Sequence, residues 1–213
     1  MVKLTIDGIQ VEAEKGTSVL HAAESVGIKI PTLCYIKDLL PDGSCRMCMV
    51  EIESRGRTKM ETACTAQVSE GLVVTTNSEK VRNARRNILD MLLSNHKTDC
   101  FSCPSNGDCK LQELCFEYGI ERTTYSGEQT ELPIDDSNKF FTYNPNLCIL
   151  CHRCVNTCHK VVGRGAIDTM ERGFDSAIGT PFHIDWADTN CESCGNCVQA
   201  CPTGALTMKR RKN

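Results

Sequence analysis

Residues 148–158 and 191–201 each space four cysteines as C-x2-C-x2-C-x3-C. Three thiols set so closely on one loop can wrap one face of a metal cluster, and a cubane then needs a fourth ligand from elsewhere in the chain. Zinc sites more often use paired C-x2-C knuckles than triple runs, so the spacing favours iron–sulfur chemistry. Two further groups lie upstream. Cys34, Cys45, Cys48 and Cys64 place three cysteines on a loop and a distant fourth. His96, Cys100, Cys103 and Cys109 set one imidazole beside three thiols within a short stretch. That last donor set suits either zinc or a 4Fe–4S cluster, and its local spacing does not separate them.

The whole chain has 213 residues, 16 of them cysteine, and a formal net charge of −3. Its opening, MVKLTIDGIQVEAEKG, shows no basic, apolar and small-residue leader pattern. The expected compartment is therefore the cytoplasm, where dense cysteines bind metal more often than they form disulfides. No apolar run approaches the length of a membrane helix; ILDMLL at 88–93 is among the longest. The charge balance gives no reason to expect a nucleic-acid partner. No G-x-G-x-x-G follows a predicted strand, no phosphate-binding loop is present, and no cysteine is left in a setting that suggests a catalytic thiol. Aromatic residues are only 5% of the chain. Once cysteine is set aside, core-forming residues fall to about a third, so metal binding is expected to supply folding free energy.

The elements that must position these ligands are legible in outline. Residues 1–78 read as one α+β unit: KLTID and IQVEA form a hairpin through Asp7-Gly8, and VLHAAESV forms a helix capped by Thr17 or Ser18 and closed near Gly27. RMCMVEIES, TKMETACTAQV and GLVVTT read as further strands. Residues 79–121 read as helical, with Val81, Ala84, Ile88, Met91 and Leu92 as the apolar row and Asn77 or Ser78 as the cap, followed by a cysteine loop and the helix KLQELCFEYG. Residues 122–146 are polar and irregular and read as a linker, and 147–213 hold the repeated cysteine run. The end, KRRKN, reads as a solvated tail. His21, His152, His159 and His183 are isolated and read as surface or structural groups, although His152 and His159 flank cysteines and could modulate a cluster.

Residues 147–213 resemble a two-cluster bacterial-type ferredoxin domain, with all eight ligand positions matched. In that pattern the fourth cysteine of each run serves the other cluster. The resemblance thus implies one 4Fe–4S cluster on Cys148, Cys151, Cys154 and Cys201, and a second on Cys191, Cys194, Cys197 and Cys158. Pro202 follows Cys201 as the pattern expects, whereas His159 follows Cys158, a departure that concerns the local turn. Residues 1–78 resemble the N-terminal β-grasp ferredoxin domain of the large iron–sulfur subunit of complex I and of iron-only hydrogenases, which implies a 2Fe–2S cluster on Cys34, Cys45, Cys48 and Cys64. The middle segment is similar to the His-plus-three-Cys segment of the same families, down to GDCKLQEL, and implies a third 4Fe–4S cluster on His96, Cys100, Cys103 and Cys109. A neutral imidazole in place of a thiolate makes such a cluster easier to reduce, so His96→Cys is expected to lower its potential. Cys115 remains over, in the apolar stretch LQELCFEY, and reads as a buried core thiol.

The expectation is a multi-domain α+β protein carrying one 2Fe–2S and three 4Fe–4S clusters, a relay of single electrons without a catalytic site of its own. Its relatives continue into catalytic domains that are absent before Asn213, and it also looks like the small iron–sulfur subunit of NAD-reducing nickel–iron hydrogenases. The resemblance implies as partners a flavin-containing subunit that oxidises NADH or NADPH and a catalytic subunit such as a hydrogenase or formate dehydrogenase, or soluble ferredoxin, in a complex of a type that can bifurcate electrons. Other readings are a free-standing polyferredoxin carrier, a zinc-stabilised interaction protein and a redox sensor.

Overall fold

A computed structural model describes residues 1–127, 129 and 131–209. The residues Arg210–Asn213 of the expected tail lie outside them. The chain forms two compact units, 1–89 and 90–213.

The first unit is built on a five-stranded sheet. β1 (Val2–Ile6) and β2 (Ile9–Ala13) form the expected hairpin, with Asp7 at φ 48° and Gly8 at φ 83°, the left-handed pair that a two-residue turn requires. β3 (Met49–Ser54), β4 (Arg57–Thr62) and β5 (Leu72–Thr75) complete the order β2-β1-β5-β3-β4, with β1 and β5 parallel and the other pairs antiparallel. Alternation puts Leu4, Ile6, Val11, Val50, Ile52 and Val74 on one face. α1 (Val19–Ser25) covers that face, its Ser18 cap accepting from the His21 N–H at 3.3 Å. Thr76 ties the far end of β5 to the hairpin by donating its N–H to the Asp7 carboxylate at 2.7 Å.

α2 (Glu79–Ser94) is capped by Ser78, whose hydroxyl accepts from the Val81 N–H at 3.1 Å. Its buried row is Val81, Arg85, Leu89 and Leu93, shifted from the expected one, and Met91 is exposed. Arg85 takes a place in the buried row because its guanidinium donates to the Met49 carbonyl at 2.7 Å.

In the second unit, α3 (Lys110–Glu117) buries Leu111, Leu114 and Cys115. The stretch expected as a linker contains β6 (Phe141–Tyr143), which pairs antiparallel with β9 (Leu206–Met208) and buries Phe141 and Tyr143. The sequence hides this strand: three residues are too few to show a period, and its pairing partner lies more than 60 residues away. The two cysteine runs lead into α4 (Arg153–Asn156) and α5 (Asn196–Ala200). Between the runs, β7 (Asp168–Met170) and β8 (Ala177–Gly179) form a short hairpin, and Trp186 drops into the core between Phe141 and Tyr143. Among the described residues no helix is long and apolar enough to cross a membrane.

Candidate metal centres

The structure brings Cys34, Cys45, Cys48 and Cys64 together, all four buried in the first unit. Gly43 turns the chain into this loop at φ 65°, and a Cβ there would meet the Thr65 methyl at 3.1 Å. The thiols interact in pairs. Cys34 is held well below its ordinary value, first by the hydrogen bond from the Cys45 thiol and then by N–H groups of Cys45 and Ser44. Cys48 is lowered likewise by Cys64, while Cys45 and Cys64 are pushed up by the same sharing and by burial. Backbone donors aimed at sulfur are what a negatively charged thiolate cluster needs around it.

The C-terminal runs gather into two cavities. Cys148, Cys151, Cys154 and Cys201 line one, with Tyr143, Ile149, Ile178 and Leu206, around about 310 Å³ of empty space that includes its mouth. Cys158, Cys191, Cys194 and Cys197 line the other, with Phe141, Ile167 and Trp186, around about 370 Å³. Each cavity therefore takes three cysteines from one run and the fourth from the other. Burial raises Cys148 to about 11, Cys151 and Cys197 to about 12, and Cys154 well above its ordinary value. Loading metal must drive those protons off, since the ligand is the thiolate. The donors surround space: among the described residues no three His, Cys, Asp or Glu side chains converge on a single-ion site. Apolar cavities walled by four thiols fit a cluster, whose irons are ligated one by one around its outside.

The loops repeat in detail. Leu150 and His152 take left-handed φ values of 51° and 59°, and their counterparts Ser193 and Gly195 take 54° and 77°. In each run this turn points an N–H back at sulfur: Leu150 donates to Cys148 and Ser193 to Cys191, both at 3.4 Å.

In the middle segment, Cys100, Cys103 and Cys109 lie within electrostatic reach of one another, and burial raises Cys109. His96 follows the end of α2 and is 7% exposed, and its Nδ1 is buried with no hydrogen-bond partner. Burial lowers its proton affinity, so the ring is neutral, the form that ligates metal. An orphaned, buried, neutral imidazole nitrogen fits a metal ligand. The Cys103 thiol packs on the turn after Cys201: a Cβ at Gly204 would lie 2.8 Å from its sulfur. Lys110 donates its N–H to the Pro202 carbonyl at 2.9 Å beside it. Cys115 is buried, and burial raises it to about 11. His21 pairs with Tyr35, and His183 with Glu171 at 2.9 Å.

Sequence reasoning passed over Phe141, Tyr143 and Trp186, which wall the two cavities. A lone tryptophan between two cysteine runs, in a chain so poor in aromatics, was the signal available.

Comparison with known proteins matches three successive stretches of the chain to iron–sulfur domains. Residues 1–79 match a 2Fe-2S iron-sulfur cluster binding domain, 85–124 the NADH-ubiquinone oxidoreductase-G iron-sulfur binding region, and 139–207 the ferredoxin-like domain of NADH-quinone oxidoreductase subunit 3. The chain is 43% identical over 209 residues to the NADPH-Fe(3+) oxidoreductase subunit alpha of Geobacter sulfurreducens, covering 98% of this chain and 24% of that protein. It is 39% identical over 211 residues to the NADP-reducing hydrogenase subunit HndD of Solidesulfovibrio fructosivorans, covering 97% of this chain and 36% of that protein. The chain thus spans about a quarter to a third of the curated relatives it matches. A crystal structure of NAD+-reducing NiFe hydrogenase in the H2-reduced state superposes with a TM-score of 0.89 at 31% identity, covering 98% of this chain and 87% of the matched chain. With three consecutive cluster-domain matches and a solved relative aligned over most of its own length, the chain belongs to the family of iron–sulfur electron-transfer modules of NADH- and NADPH-linked oxidoreductases and hydrogenases.

Proposed function

We propose that this chain holds one 2Fe–2S cluster on Cys34, Cys45, Cys48 and Cys64, and three 4Fe–4S clusters. These sit on His96, Cys100, Cys103 and Cys109; on Cys148, Cys151, Cys154 and Cys201; and on Cys191, Cys194, Cys197 and Cys158. The observation that carries the reading is the pair of apolar cavities, each lined by four cysteines drawn three from one run and one from the other. We divide the chain accordingly into 1–78, 79–121, a connecting stretch at 122–146 and 147–213.

A bound iron–sulfur cluster supplies a one-electron couple. The chain's own residues do the rest: thiols and one imidazole hold the clusters, backbone N–H groups donate to sulfur, and Phe141, Tyr143, Trp186 and Ile178 keep water out. The electron donor we propose is a flavin-containing subunit oxidising NADH or NADPH. The acceptor is a catalytic subunit of hydrogenase or formate dehydrogenase type, or soluble ferredoxin. The names of the relatives, an NADPH-Fe(3+) oxidoreductase and two hydrogenases that reduce NADP or NAD+, support a pyridine nucleotide at one end and a hydrogenase at the other. Keeping this many thiols reduced suits the cytoplasm.

The test is anaerobic purification from the native source, with iron, sulfide and co-purifying subunits measured. The expected result is about 14 iron atoms per chain, from one 2Fe–2S and three 4Fe–4S clusters, with a flavoprotein and a redox enzyme in the same complex. Zinc in place of iron would sink the redox reading. A cluster-loaded monomer without partners would instead make the chain a free carrier.

A further inference from the structure

β6 hands one aromatic ring to each cavity: Phe141 to that of Cys158, Cys191, Cys194 and Cys197, and Tyr143 to that of Cys148, Cys151, Cys154 and Cys201. Trp186 packs against both, 5.1 Å from Phe141 in a T-shaped contact and 5.4 Å from Tyr143 in a tilted one. Phe141 and Trp186 line the first cavity and Tyr143 the second, where its ring carries the hydroxyl that Phe141 lacks. That hydroxyl is buried and donates to the Ile178 carbonyl at 2.6 Å. The Cys148 sulfur lines the same cavity as the Tyr143 ring and Ile178, and its charge acts on the phenol, which makes it the second acceptor on offer. A phenol has one hydrogen to give, so the two acceptors compete for it.

We propose that the Tyr143 hydroxyl sets the potential of the cluster held by Cys148, Cys151, Cys154 and Cys201, by donating to the Cys148 sulfur in competition with the Ile178 carbonyl. The inference rests on the reading that these four cysteines hold a 4Fe–4S cluster. A one-electron reduced cluster held there would place more negative charge on the Cys148 thiolate and make sulfur the better acceptor. The proton stays on the tyrosine oxygen and no covalent bond breaks; the hydrogen bond swings toward sulfur. A donor that binds the reduced form more strongly raises the potential. Phe141 offers the other cavity no such donor, so Tyr143 biases the electron toward the Cys148 side.

The experiment is a redox titration of the anaerobically loaded protein, followed by electron paramagnetic resonance, for wild type and Tyr143→Phe. Loss of one hydrogen bond to a charged group should lower the reduction equilibrium constant of one 4Fe–4S couple about tenfold, about 59 mV for one electron, and leave the other couples in place. A loaded Tyr143→Phe protein with every potential unmoved overturns the proposal. Should that variant fail to load, wild-type protein grown with 3-fluorotyrosine, a stronger donor, replaces it. The same couple should then rise, and an unchanged potential again overturns the proposal. If wild-type protein shows no 4Fe–4S signal at all, the cluster reading falls with it. Intact signals at fixed potentials sink the hydroxyl alone.

Discussion

The two cysteine runs have the same spacing and the same left-handed turns, yet they leave their last cysteine differently. After Cys201, Pro202 stops the chain from continuing α5, and Cys201 itself is already extended at φ −68° and ψ 125°. After Cys158 there is no proline. The chain winds on through a wide helical turn, Thr157–Val162, and is released only at Gly163, φ 77°. His159 stands where the proline would be, and its Nε2 bonds the Ile167 carbonyl at 2.9 Å. That bond closes a loop in which Ala166 donates its N–H to the Cys158 sulfur at 3.3 Å. Gly165 suits this loop, with φ at 60° and a Cβ that would sit a tight 3.3 Å from the His159 ring. One half thus fixes its exchanged cysteine with a ring that forbids helix, and the other with a staple across a longer loop. The same cysteine position can be held by opposite backbone solutions.

The sharpest way to break this comparison is to test the exchange itself. Cys158→Ala combined with Cys191→Ala strikes one proposed site twice and should cost about 4 iron atoms per chain. Cys158→Ala combined with Cys148→Ala strikes two sites and should cost about 8. The reverse pattern in an iron assay would mean that each run closes its own cluster.

The metal-free protein should lose stability at high pH. Burial raises the folded-state value of Cys148 from its ordinary 9.0 to about 11, that of Cys151 to about 12 and that of Cys154 well above 9.0, and in the second run it raises Cys197, the counterpart of Cys154, to about 12. Above pH 9 the unfolded chain has lost these protons and the folded one has not, so stability must fall as pH climbs through 9 to 12. Urea midpoints measured across that window should drop for the metal-free wild type, and less for Cys148→Ser. A flat profile would show that the thiols are not held protonated by the fold.

Smaller effects follow from the staple. His159→Ala removes one hydrogen bond and should cost about 1 kcal/mol. It should speed chelator-driven iron loss from the site that uses Cys158, with the other site unaffected. Smallest is the turn swap. His152 holds a left-handed conformation that Gly195 adopts freely, so His152→Gly should gain at most about 1 kcal/mol and Gly195→His lose about as much. Thermal midpoints of the loaded variants read both signs.

Much of this was legible because its causes are local. The Asp7-Gly8 hairpin, the Ser18 and Ser78 caps and the cysteine spacings each declare themselves within a few residues. What escaped is non-local. β6 is hidden in a polar stretch because its reason for being a strand is β9. The row of α2 shifted because a carbonyl on β3 draws Arg85 inward. Trp186 gives no sign in its own neighbourhood of the two rings it will touch.

Gly204 has no side chain because the Cys103 sulfur occupies the place where one would begin. The middle segment and the turn after Cys201 are therefore cut to one another like mortise and tenon. A His96–Cys109 segment transplanted onto a two-run domain bearing any larger residue at this position would not seat. In recombination or design, the two pieces travel as one cassette.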